Sequence, residues 1–323
     1  MKTAGVYAAV LMLELCTLGG VAAQEIRGTI IGQITDPSGA AVPGAKVSIV
    51  NTSTNVATEI TTNMEGRYVA PFLTPSTYLI RIEKEGFNRI IRDNIILQTS
   101  DRLTLDFTLT PGAVSESITV SAESPLLQTA SADFGQVVSN AFVNRLPVVA
   151  ATPLGLADMA PGAVPSFPDN TVTSYQSSYV QINGSAGPGN QIAVDGAPVD
   201  LPRQNGTTHI IPMAEMVEEL KVVTALFDAA HGRTKGGSMF LSTKGGTNSY
   251  HGSLYYHFRD ERFNANSWTN NSRGVRRSLV NYYTAGGIVG GPIRKDRTFF
   301  NAGIEYMNSG NTGNYSFRVP TEA

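Results

Sequence analysis

From Gly245 onward the chain alternates Gly-rich turns with short aromatic stretches, GGTNSYHGSLYYHFRDERFNANSW and then NYYTAGGIVGGPIRKDRTFFNAGIEY, with no core-building helix. This pattern predicts strands over 249–258, 281–289 and 297–307. Each has roughly the 9–11 residues that a strand needs to cross an outer-membrane hydrocarbon layer. Three such strands cannot close a barrel, since even the smallest bacterial barrel takes about eight. An open apolar edge in lipid is untenable, because unpaired backbone groups find no water there. The expectation is therefore the opening strands of a larger barrel, over 247–323.

The other end of the chain agrees with export. Lys2 precedes an apolar run over 4–18 interrupted by Glu14, and Val21-Ala22-Ala23 supplies small residues at the positions a signal peptidase accepts. Residues 1–23 thus read as a signal peptide. The run is too short to span a bilayer comfortably; the competing reading is a buried apolar strand or helix. Cys16 is the sole cysteine and leaves with the signal, so the mature chain holds neither a disulfide nor a cysteine-ligated metal. A net charge of -2 with 15% charged residues lacks the basic field that a nucleic-acid partner requires.

Residues 26–110 carry period-two alternation, clearest in Tyr78, Ile80, Ile82 and in Leu103, Leu105, Phe107, Leu109. Strands are expected over 28–35, 46–51, 56–61, 66–71, 77–84, 90–97 and 102–109. Asp36-Pro37-Ser38-Gly39 is a strong turn: Asp binds backbone amides, Pro fixes φ and Gly accepts a left-handed position. Asn63 to Gly66 makes a second turn. Seven short strands with turns between them specify a two-sheet β-sandwich. The segments GTIIGQITDPSGAAVPGAKVSIVN and TTNMEGRYVAPFLTPSTYLIRIEKEGF resemble the carboxypeptidase regulatory-like domain, a transthyretin-like sandwich. That resemblance implies an accessory module and no peptidase activity.

Composition changes at Thr110-Pro111-Gly112, where Pro and Gly end the last strand. Over 115–246 the expectation is a mixed α/β domain, with strands at 117–122, 190–194 and 239–243 and a short helix at 154–160. An amphipathic stretch at 211–223 puts Met213, Met216, Val217 and Leu220 on one side. The ordered segments ITVSAESPLLQTASADFGQVVS, NRLPVVA, QINGSAGPGNQIAVDGAPVD, IPMAEMVEELKVVTALFDAAHGRTKGGSMFLSTKGGTNSYHGS, HGSLYYHFRDERFNANSW and GGIVGGPIRKDRTFFNAGIEY resemble the plug and first barrel strands of the TonB-dependent outer-membrane receptors. The likeness is to the large-barrel subgroup that carries an N-terminal regulatory-like sandwich. The fold class is then mainly β: a seven-stranded sandwich, a mixed α/β plug and the first strands of an incomplete transmembrane barrel. What the resemblance implies is a bacterial outer-membrane location with the N-terminal domains in the periplasm, contact with outer-membrane lipid, an inner-membrane energy-coupling complex and a large solute.

Candidate residues are structural. Asp36, Gly39, Gly66, Asp195, Gly196, Gly245, Gly246, Gly290 and Gly291 read as turns, with 290–293 and Lys295-Asp296-Arg297 as a short periplasmic hairpin. Tyr255, Tyr256, Trp268, Tyr282, Tyr283, Phe299 and Phe300 are candidates for an aromatic girdle at the lipid interface. Glu218, Glu219, Arg233 and Lys235 are candidate plug–wall charges, or ordinary solvated ones. His209, His231, His251 and His257 are scattered. The last two share a strand face about 20 Å apart, too far for one metal. The Gly pairs lack the Gly-Lys-Ser/Thr ending of a phosphate loop. No catalytic, cofactor or metal site emerges, which disfavours a secreted enzyme. A different class of function is an exported binding or adhesion protein whose sandwich contacts glycan or protein. Processing after Ala23 predicts Gln24 as the mature N-terminus; Edman sequencing of envelope-purified protein returns Gln24 first, and retention of Met1 through Ala23 refutes the signal.

Overall fold

In a half-buried strand alternate side chains enter the core, and in the sandwich Tyr78, Ile80 and Ile82 are all buried as their spacing demands. The computed structural model describes residues 27–112, 117–121, 134–140, 142, 153–165, 180–185, 189–200, 208, 210–225, 234–266, 268–277 and 280–311. The signal-peptide expectation for 1–23, and Arg233, His209 and His231, lie outside these residues.

The first unit contains β1 (Gly28–Thr35), β2 (Lys46–Asn51), β3 (Ala57–Thr61), β4 (Arg67–Leu73), β5 (Ser76–Glu83), β6 (Arg89–Leu97), β7 (Arg102–Thr104), β8 (Phe107–Thr108) and β9 (Ser117–Ser121). In one sheet β1 is antiparallel to β4 and parallel to β7 and then β8; the other runs β3-β2-β5-β6-β9. The expected strand over 102–109 is broken. Asp106 turns its carboxylate onto the Gln33 N–H (2.8 Å), so a side chain takes a donor that a continuous ladder would have used. A ninth strand, β9, comes from beyond the Pro-Gly boundary and pairs parallel with β6.

The two inner faces meet in one core. Ile30, Ile34, Leu103, Leu105 and Leu109 of the first sheet face Val47, Ile49, Ile80, Ile82 and Ile95 of the second. Within the first sheet Gly32 permits a close approach: a Cβ there would stand 1.9 Å from the Leu105 carbonyl oxygen. Beside it the buried Tyr68 donates its hydroxyl to that carbonyl at 2.7 Å. Burial pushes the Tyr68 phenol far above its ordinary value, so it stays a neutral donor.

The second unit has β10 (Phe134–Ser139), β11 (Ala163–Pro165), β12 (Val180–Ile182), β13 (Gln191–Val194), β14 (Ala197–Pro198), β15 (Val217–Ala225) and β16 (Ser238–Thr243). Its main sheet has the order β10-β15-β16-β13-β14, parallel only between β13 and β16. One face of this sheet packs Val138, Leu220, Val222, Ile192, Met239 and Leu241 against Leu154, Leu156 and Ala157 of the 3-10 turn Pro153–Met159.

The expected mixed α/β plug is corrected here: the described residues are dominated by strand and have essentially no helix. The helix expected at 154–160 is that single 3-10 turn. The amphipathic stretch at 211–223 is a three-residue 3-10 turn, Ala214–Met216, followed by β15. The spacing of Met213, Met216, Val217 and Leu220 is helical, but Val217, Val222, Val223 and Thr224 are β-branched and lose side-chain freedom in a helix. Strand partners on both edges settle the competition.

The third unit is β17 (His251–Arg259), β18 (Val280–Arg294) and β19 (Thr298–Asn311), an antiparallel meander. Among the described residues none of the sheets closes into a barrel, which corrects the barrel part of the expected fold class. β18 and β19 extend past the expected 281–289 and 297–307, so Gly290 and Gly291 are paired strand residues, opposite Asn301 and Phe300, rather than a turn. The hairpin turns instead at Lys295-Asp296, where Asp296 has φ 62°.

The sandwich is a testable unit. A fragment of residues 27–121 is expected to unfold cooperatively. Tyr68→Phe removes the buried bond to Leu105 and costs about 1–3 kcal/mol. Urea melts followed by circular dichroism check it; an unchanged midpoint removes the role given to the hydroxyl.

Candidate functional site

The meander has two unlike faces. Strand register sets Leu254 beside Gly287 and Ile304, Tyr256 beside Ala285 and Tyr306, and Phe258 beside Tyr283. This face is apolar and open: Leu254 is 92% exposed and Ile304 78%. Exposure of so many large apolar groups on one sheet face requires an apolar medium or a partner. The opposite face carries Ser253, Tyr255, His257, Tyr282, Thr284 and Glu305, and the second unit sits against it.

Contact with that inner face is made by the 3-10 turn ahead of β15. Gly303, in the middle of β19, is the contact point: a Cβ there would meet the Met213 Cε at 2.7 Å and the Met216 Sδ at 3.2 Å. The Tyr255 hydroxyl donates to Glu305 (2.5 Å) and lies 3.6 Å from the Met213 sulfur. Lower on the seam Asn301 donates its amide to the Lys244 carbonyl at 2.7 Å. The arrangement is a folded sheet domain resting on the polar side of a sheet whose other side is greasy.

The girdle candidates divide by environment. Tyr256, Trp268 and Tyr283 are exposed, whereas Tyr255, Tyr282, Phe299 and Phe300 are half-buried. Tyr255, Tyr282 and Phe299 lie by register on the inner face, and Tyr256, Tyr283 and Phe300 on the open one. Tyr256 stacks on Phe258 with centroids 6.2 Å apart, Tyr283 meets Tyr306 at 6.4 Å, and at the other end Tyr250 meets Phe300 at 6.5 Å. Along β19, Phe300 and Tyr306 are six residues apart, about 20 Å at strand rise. Trp268 lies beyond the strands, on the short helix Trp268–Ser272 between β17 and β18.

The turn candidates are placed as follows. Asp36 accepts from the Ser38 N–H (2.9 Å), the Ser38 hydroxyl (2.6 Å) and the Ala40 N–H (2.9 Å), and these bonds hold its carboxyl below the ordinary value. Gly39 and Gly66 take φ of 85° and 70°. Asp195 and Gly196, at φ 48° and 84°, form the β13–β14 hairpin. The Asp195 carboxylate does not serve its own turn; it accepts from the Thr243 N–H (2.9 Å) and hydroxyl (2.7 Å), tying that hairpin to the end of β16. Gly245 stands in open space, while Gly246 runs against the Phe300 carbonyl, 2.4 Å from a Cβ position.

Of the charge candidates, Glu219 faces the sandwich, where Thr99 donates to it, and burial pushes its carboxyl up from the ordinary value. Lys235 engages Gly189 through its backbone N–H at 2.8 Å. Glu218 lines a cleft of about 860 Å³ between the sandwich, the second unit and the meander, together with Arg27, Phe72, Asp195 and Arg297. Of the residues that build the seam, Met213 and Met216 were singled out only as one side of an amphipathic stretch, and Gly303 and Glu305 were not singled out. Gly303 did carry a signal, since a lone Gly inside a strand marks a close approach.

Comparisons with known proteins match two segments of the chain. A carboxypeptidase regulatory-like domain covers residues 29–110 and an outer membrane beta barrel domain covers residues 242–323. The TonB-dependent transporter Oar of Myxococcus xanthus is 29% identical over 302 residues, covering 89% of this chain. The chain spans 27% of that relative's length. Among solved structures, the siderophore receptor PirA of Acinetobacter baumannii is 18% identical over 56% of this chain and 26% of its own, with a TM-score of 0.40. The outer membrane transporter YddB of Escherichia coli is 13% identical over 48% of this chain and 25% of its own, with a TM-score of 0.36. With a regulatory-like domain matched ahead of an outer-membrane barrel domain, the chain is similar over most of its length to part of a TonB-dependent outer-membrane transporter.

Proposed function

We propose that this chain supplies the periplasmic sandwich, the plug and the first wall strands of an outer-membrane transporter or receptor for a large solute. The observation that carries the reading is the two-faced meander: an open apolar face on one side, and a polar face occupied by a folded sheet domain on the other. A lipid-facing wall around a hydrated, plugged lumen calls for that division. Exposed Tyr256, Tyr283 and Trp268, with Phe300 at the far end, then serve as interfacial anchors. The sandwich and the Lys295-Asp296 turn lie on the periplasmic side, and the loop 260–277 on the outer side. Solute binding outside and a pull from an inner-membrane coupling partner displace the plug. The function is one of transport rather than catalysis, in keeping with a transporter as relative.

Leu254→Arg separates this reading from an exported soluble adhesin. At an exposed site in water the substitution is close to neutral. On the lipid face near the bilayer midplane it costs about 2–4 kcal/mol. The expected outcome for the full-length gene product is a sharp fall in folded protein in purified outer membranes, with His257→Arg on the inner face assembling normally. Equal assembly of the two variants defeats the membrane reading.

A further inference from the structure

Two loops of the sandwich reach two different bodies. The first is the turn at 98–101 between β6 and β7. It is closed on itself by the Asp101 carboxylate, which accepts from the Gln98 N–H at 3.0 Å. Its Thr99 is fully buried and donates both its N–H (2.8 Å) and its hydroxyl (2.9 Å) to Glu219 on β15. The same hydroxyl lies 2.8 Å from the Ser242 hydroxyl on β16. Next to it Asp101 pairs with Lys221 at 3.5 Å, with side chains only 3% and 5% exposed, and Lys221 also donates to the Ser100 carbonyl at 3.4 Å. Glu219 and Lys221 are two apart on β15 and therefore share the face turned to the sandwich.

The second loop, 51–56, joins β2 to β3 and reaches the wall instead. Asn248, just ahead of β17, donates its backbone N–H to the Ser53 carbonyl (3.0 Å) and its side-chain amide to the Thr54 carbonyl (2.8 Å). That amide also donates to the Asp296 carboxylate (2.7 Å), while the Asp296 N–H returns a bond to Asn248 at 2.9 Å. Asn55 donates to the same carboxylate at 3.1 Å. Asp296 is the left-handed residue of the β18–β19 turn, so the sandwich grips the hairpin at its tip.

A buried ion pair adds little net stability against an apolar substitute, but an unpaired buried charge is very costly. Pulling β15 away from the sandwich leaves Asp101 and Lys221 in that condition until water reaches them. The pair therefore favours one docked geometry over loosely shifted ones. We propose that the sandwich is an intramolecular clamp, tying an interior strand of the plug sheet, β15, to the rim of the wall through Asp101–Lys221 at one foot and Asn248–Asp296 at the other. This rests on residues 115–246 acting as a plug, but the test below measures docking and not uptake, so either idea can fail alone.

The test uses the full-length protein purified from outer membranes, in a background free of other cysteines. Thr99→Cys with Ser242→Cys brings two thiols together across the junction. Thr99→Cys with Thr243→Cys is the control, because Thr243 points to the opposite face of β16, toward Asp195. Oxidation is expected to cross-link the first pair about tenfold more than the second. Equal or absent cross-linking overturns the docking. The clamp is then tested from its distant foot. Asn248→Ala touches bonds to Ser53, Thr54 and Asp296, yet is expected to speed hydrogen exchange in 217–225 about tenfold while 78–82 is unchanged. Lys221→Met acts on the same segment directly. Unchanged exchange over 217–225 in Asn248→Ala overturns the clamp even where the cross-link forms.

Discussion

A strand buried on both faces must find backbone partners on both edges and two separate sets of side-chain neighbours, and β15 meets all four demands. Its edges are taken by β10 and β16, one from each side in sequence. Leu220 and Val222 enter the apolar core on one face, while Glu219 and Lys221 meet the sandwich on the other. The 3-10 turn that leads into it puts Met213 and Met216 against Gly303 of β19. All three units are therefore registered to one segment of thirteen residues, 213–225. Moving this strand by one residue would exchange its two faces, setting Lys221 in the apolar core and Leu220 against Asp101.

How far the sequence revealed this depends on whether the information was local. The sandwich strands were readable because turn chemistry and period-two alternation act over a few residues: β1 and β2 have the expected bounds, and Leu103, Leu105, Phe107 and Leu109 are all buried. The break in 102–109 was hidden because it depends on Asp106 meeting Gln33, 73 positions away. The helical spacing in 211–223 was genuine yet short, and a pattern of that length cannot distinguish a buried strand from a helix. What decided it was pairing with β10 and β16, about eighty and twenty residues distant in the chain. Gly290 and Gly291 show the opposite error. Gly pairs usually signal turns, but here they occupy a strand whose neighbours Tyr250 and His251 fill the space their missing side chains leave.

The site was legible at the level of faces and illegible at the level of contacts. Alternation in 249–258 puts Tyr256 and Phe258 on one side and Tyr255 and His257 on the other. The girdle candidates were chosen by aromatic type, which carries no face, so Tyr255 and Tyr282 were grouped with Tyr256 and Tyr283. Likewise, Glu218, Glu219, Arg233 and Lys235 were read as either plug–wall charges or ordinary solvated ones, and Glu219 is directed at the sandwich. Charge says what kind of partner a residue needs, and only the tertiary fold says which body provides it.

The seat of the second unit on Gly303 is a contact between flexible thioethers and bare main chain. Methionine has three rotatable side-chain bonds and a polarizable sulfur, so it fills irregular space at small cost. A branched side chain on β19 at this point would make a rigid socket with one accepted position. As built, the joint has the character of a compliant bearing, in which a change of Met rotamer can absorb a small offset before the strand has to yield.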